Sequence, residues 1–205
     1  LEKGPGYTDT FPHTGANFWK DWERPVHFEY VDENGVAQLE FNAGVKVFGQ
    51  YSRAMDQKSL SINLRDRYGP KEFCYPLFGQ DAATNVYSEL VLRNAGQDGS
   101  HAHLRDAFVA RTIKGQADVD FMDYRPVVVY INGEYYGLYD LREKICESYV
   151  SNRTGADEDT IDMIKGESIL MSGSLTAYKE LLQYVKTHDL SKQENYDHVA
   201  SLVDV

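Results

Sequence analysis

Pro126-Val-Val-Val-Tyr-Ile-Asn-Gly-Glu-Tyr-Tyr-Gly-Leu-Tyr139 holds the strongest local signal in the chain. Asn132-Gly133 lies between two β-rich runs, Pro126–Ile131 and Tyr135–Ile145, and this pair suits a two-residue type I′ turn because both central positions need positive φ. The stretch therefore reads as a tight β-hairpin. In its second strand Tyr139, Leu141, Glu143 and Ile145 share a face by period-two alternation, which sets the Glu143 carboxylate among apolar neighbours.

Upstream, a second hairpin is predicted over residues 26–48, with Val26–Val31 and Val36–Phe48 flanking the turn sequence Asp32-Glu33-Asn34-Gly35. Gln50–Gln57 is polar, and Lys58–Leu64 alternates as a third strand before the stop at Asp66–Pro70. The apolar run Val86–Leu92 fits helix or strand equally well. His101–Ile113 reads as a helix ending near Gly115. Beyond residue 150 the acidic stretch Asp157–Asp162 reads as a solvated helix start. A polar region around Gly173 follows, then helices over Leu175–Thr187 and Glu194–Val203. Strands first and helices last make an α+β chain with a mainly antiparallel sheet. The divisions expected are an N-terminal extension, 1–25, a β-rich lobe, 26–150, and a helical segment, 151–205.

The 205 residues are 42% hydrophobic and 13% aromatic, the composition of a folded globular chain. Lys and Arg number 21 against 32 Asp and Glu, and a net charge of -11 disfavours nucleic acid as a partner. A small phosphate ligand needs only a few cations and backbone amides and stays open. No run approaches the roughly eighteen apolar residues of a membrane span. Leu1–Gly6 has neither the basic nor the apolar region of a secretion signal. Cys74 and Cys146 are two thiols or one disulfide; neither belongs to a CxxC pair.

Several side chains invite a chemical role. Lys58 shares parity with Leu60, Ile62 and Leu64, so either its ammonium enters the apolar face and needs an anionic partner, or it begins the strand and reaches solvent. Glu143 is the anion that the same argument offers as that partner. Gly49-Gln-Tyr-Ser-Arg53 supplies a glycine for close backbone approach, the Ser52 hydroxyl and the Arg53 cation, fit to hold phosphate or to serve as an ordinary polar loop. His101 and His103 are two residues apart, the wrong spacing for a metal pair on a helix. Asp98 reads as a helix cap, and the acidic stretch after Asp157 lacks the ligand order of an EF-hand. Fifteen tyrosines and two tryptophans keep a carbohydrate-binding alternative in view.

Gly49-Gln-Tyr-Ser-Arg53 with Lys58-Ser-Leu, then Leu92-Arg93, Asp98 and Leu104-Arg105-Asp106, then Tyr130-Ile-Asn-Gly-Glu-Tyr-Tyr-Gly-Leu-Tyr139 with Glu143 together resemble the CotH family over roughly residues 25–205. The resemblance implies an atypical protein-kinase-like N-terminal lobe, followed by helices that begin a C-terminal lobe. It implies ATP and Mg as cofactors of the complete domain, with Ser or Thr of secreted or spore-coat proteins as acceptors. An extracellular or spore-surface location and attached dockerin or other modules come with it. By position, Lys58 would contact phosphate, Arg53 and Ser52 would belong to the covering loop, and Glu143 would lie near the hinge side of the nucleotide cleft. The family's catalytic and metal-binding aspartates lie beyond the segment that Tyr196–Val205 begins. The expectation is a kinase fragment, inactive alone, with no catalytic or metal-binding residue within the chain; the alternative is a non-catalytic carbohydrate- or protein-binding module.

Overall fold

Arg24–Val31 (β1) and Ala37–Phe48 (β2) pair antiparallel around the first turn, where the Asp32 carboxylate accepts from the amides of Asn34 and Val36, both at 2.9 Å. The structure, a computed structural model, describes residues 3–117, 119–166 and 168–203. The chain continues through Ser59–Asn63 (β3), Phe73–Cys74 (β4), Val86–Tyr87 (β5), Glu89–Arg93 (β6) and the helix Arg105–Ile113 (α1). Then come Tyr124–Ile131 (β7), Glu134–Glu143 (β8), the helix Glu147–Thr154 (α2), Met163–Lys165 (β9), Ile169–Ser172 (β10), and the helices Thr176–Thr187 (α3) and Gln193–Ala200 (α4). This mixture is α+β. Val86–Leu92, which periodicity leaves open, is strand. α1 begins at Arg105, four residues later than expected.

Six strands form one antiparallel sheet in the order β1-β2-β3-β6-β8-β7. Both outer strands carry a proline, Pro25 in β1 and Pro126 in β7. Pairing places Arg24, Val45, Ile62, Leu90 and Glu143 in one row across the sheet. The face holding that row carries the core: Phe41, Ala43, Ile62, Leu90, Leu92, Tyr139 and Leu141 are buried there with Tyr87 and Leu77, from the segment between β3 and β6. Fully burying one such leucine contributes about 1.5–3 kcal/mol. The other face is polar yet also covered. Ser59, Ser61 and Asn63 alternate with Leu60 and Ile62 in β3, and all three are buried. Burial on both faces explains why β6, Glu-Leu-Val-Leu-Arg, shows no clean alternation.

The chain divides into two compact units, Leu1–Arg153 and Thr154–Val205. In the first, the segment before β1 packs onto the sheet, with Ala16 and Phe18 clustered against Ala54 and Val47. In the second, the expected helix start at Asp157–Asp162 is a single 3-10 turn, Glu158–Thr160, whose Asp157 side chain accepts from the Asp159 amide. The hairpin β9–β10 stands where only polar chain and helix were expected, because two short apolar runs flank the positive-φ Gly166. Cys74 and Cys146 are free thiols.

Candidate functional site

Arg93 ends β6 on the polar face, and the chain must turn there to start α1. The turn uses left-handed backbone at Ala95 (φ 61°) and Gly96 (φ 57°). Asn94 braces it: its Oδ1 accepts from the Ser59 hydroxyl at 2.7 Å and the Gly96 amide at 3.0 Å, and its Nδ2 donates to the Gln57 carbonyl. Asp98 then caps the helix from outside, accepting from the amides of Ala102, Leu104 and Arg105 at 3.0–3.3 Å. Burial would raise the Asp98 pKa, but these amides and the Arg105 guanidinium hold it below the usual value.

This scaffold aims Asp106 of α1 at Arg93. Arg93 Nε donates to Asp106 Oδ2 at 2.7 Å, and Arg142 Nη1 of β8 donates to the same oxygen at 3.2 Å. Asp140, two residues before Arg142 on the same face, lies 3.5 Å from Arg142 Nη2. Burial pushes the Asp106 carboxyl up, and the two arginines more than offset it, leaving its pKa low. Burial wins at Asp140, whose pKa is raised despite Arg142. Three buried polar atoms of the cluster, Asp106 Oδ1, Asp140 Oδ2 and Arg142 Nε, have no hydrogen-bond partner. Such atoms are costly unless water or a ligand meets them.

Above this end of the sheet runs the connection between β2 and β3. Gly49 has φ 105°, and an added Cβ there would collide with the Ser52 hydroxyl, so the turn needs glycine. Arg53 Nε donates to the Gly49 carbonyl at 2.7 Å. Lys58 precedes β3, its ammonium 2.5 Å from the Met55 carbonyl and 4.3 Å from the centre of the Phe18 ring. Ser52, Arg53 and Lys58 thus share one connection. Glu143 does not join them. It lies in the row of Ile62, four residues along the strands from Lys58 or roughly 13 Å, and accepts from Arg153 Nη2 at 2.7 Å and the Asp123 amide at 2.8 Å. The anticipated Lys58–Glu143 pairing is therefore corrected: the partner of Glu143 is Arg153, from the next helix, and Lys58 rests on an aromatic ring. Asp140 and Arg142 escaped the sequence reading, although two charges on the parity opposite to Leu141 are the signal of a strand whose second face is also in use.

The family model described as CotH kinase protein matches residues 45–205. The chain belongs to the CotH family. The CotH match opens in β2 and takes in the connection at Gly49, the Arg93–Asp106–Arg142–Asp140 cluster and the helices α2, α3 and α4. Membership makes the function of this CotH chain kinase-related. No curated protein matches it. Among the described residues, no group of three or more His, Cys, Asp or Glu is placed to hold a metal ion, and no helix is long and apolar enough to cross a membrane.

Proposed function

We propose that the chain forms the nucleotide-holding lobe of an ATP-dependent kinase acting on Ser or Thr hydroxyls. The observation that carries this reading is the Arg93–Asp106 ion pair. In protein kinases a glycine-bearing loop covers the phosphates, a strand cation contacts them, and a carboxylate on the helix that follows pairs with that cation. The order of the candidate elements supports the reading. The Gly49 connection joins β2 to β3, Arg93 closes β6, and α1 supplies Asp106. A guanidinium holds phosphate in bidentate fashion and keeps its charge at every relevant pH. Arg53 and Ser52 lie in the covering connection, whereas Lys58 at its base and Glu143 at the far end of β8 belong to the opposite face of the sheet from Arg93 and stay outside this site.

Magnesium is a separate matter. The partnerless oxygens of Asp106 and Asp140 lie beside Arg93 and Arg142, whose charges oppose a divalent cation. These residues do not fit the ion, and it is taken to arrive with the nucleotide. The acceptor class of secreted or spore-coat proteins, an extracellular setting and attached modules belong to the same proposal. A sugar-stacking module is less well supported. The exposed rings of Tyr130 and Tyr135 cross at 74° and make no coplanar platform.

Calorimetric titration with Mg-ATP tests the reading. Losing a charge-assisted hydrogen bond is worth about 1.5–3 kcal/mol, or roughly ten- to a hundredfold in affinity. Arg93→Ala is expected to weaken ATP binding by that factor, and Arg93→Lys by less. Unchanged affinity in Arg93→Ala would remove the basis of the assignment.

A further inference from the structure

The segment before β1 and the end of the apolar sheet face enclose a cleft of about 310 Å³ on the opposite side of the sheet from Arg93. Val45, Val47 and Leu60 make an apolar floor, and Phe18 and Trp22 contribute to the walls. Its charged lining is cationic: Lys20, Arg24, Lys46 and Lys58, with no carboxylate among the lining residues. Lys46 is held by Asp21 at 3.2 Å. Lys20 and Arg24 instead lie over the one Trp22 ring, 4.5 Å and 4.9 Å from its centre. Two cations on one ring sit inside the ~10 Å screening length of ordinary salt and repel each other. Lys58 stands against Phe18, and burial lowers its pKa against the pull of Asp56. In a chain of net charge -11, Lys20, Arg24 and Lys58 are thus grouped at one cleft with no carboxylate among its lining residues, a local excess of positive charge.

We propose that this cleft binds an acidic peptide segment, with one apolar side chain on the Val45–Leu60 floor and flanking carboxylates on Lys20 and Arg24. Charge complementarity selects an anion, and the floor selects an apolar anchor within it. The volume is at the lower end of the roughly 300–1,000 Å³ of small-ligand pockets, enough for one large side chain and small for a whole nucleotide. A peptide bound here leaves Arg93 free, so the site does not depend on the nucleotide assignment.

The test is fluorescence anisotropy of the whole chain with a fluorescein-labelled heptapeptide, Glu-Asp-Glu-Leu-Glu-Asp-Glu. Saturable binding is expected, weakened on the order of tenfold by the double variant Lys20→Glu/Arg24→Glu and less by Lys58→Met. Replacing the peptide's central Leu by Ser should also weaken it, while Arg93→Ala and excess ATP should leave it unchanged. Thermal unfolding of each variant checks that the fold is retained. Absence of saturation, equal binding by the charge-reversed variant, or displacement of the peptide by ATP would overturn the proposal. Loss of the ATP effect of Arg93 would instead bear on the kinase reading alone.

Discussion

Glu143 has a side chain only 3% exposed and is held by Arg153, itself 11% exposed. Burial raises the Glu143 pKa above its ordinary 4.5, with Arg153 pulling the other way. The folded state therefore holds this proton more tightly than the unfolded chain. Its contribution to stability is full below about pH 4.5 and is lost as pH rises through the folded value. Removing the cation should exaggerate that dependence. Arg153→Met is expected to destabilise the chain by about 3–5 kcal/mol near neutral pH, and by less at pH 5, because a carboxyl that has lost its cation holds its proton more tightly. Urea denaturation at the two pH values measures this, and a loss independent of pH would contradict it. The Arg93 cluster is a different case, because part-exposed Asp106 keeps its charge low in pH through two arginines.

The hairpin β7–β8 turns through Asn132 at φ 53° and Gly133 at φ 82°, and no atom lies within 4 Å of where a Gly133 side chain would begin. The cost of Gly133→Ala is then backbone strain alone, about 1–2 kcal/mol, read as a shift in the denaturation midpoint; an unchanged midpoint would mean that the turn relaxes without cost. This element was legible because a two-residue turn and period-two alternation are local properties. The first hairpin, β3 and the helices α3 and α4 were legible for the same reason. β6 was not, since a strand buried on both faces loses its alternation, and β9–β10 is too short to show a period. The candidate site was legible in part. Gly49, Ser52, Arg53 and Lys58 are neighbours in sequence. Arg93 and Asp106 meet only because Asn94 and Asp98 shape the turn between them, and no local period announces such a meeting.

In the second unit, α3 and α4 bury no residue fully, whereas β3, β6 and β8 carry much of the core of the first. Local opening is cheapest where few apolar contacts must be broken. Amide hydrogen exchange should therefore be faster throughout α3 and α4 than in those three strands. Equal protection would show that the two units open as one. The sheet itself ends at β1 and β7, and Pro25 and Pro126 interrupt those two margins. A proline has no amide hydrogen to offer, and its ring obstructs a strand arriving from another molecule. Each margin thus resists templating by a second copy. The six-stranded architecture is guarded on both flanks against growing, molecule by molecule, into a continuous fibre.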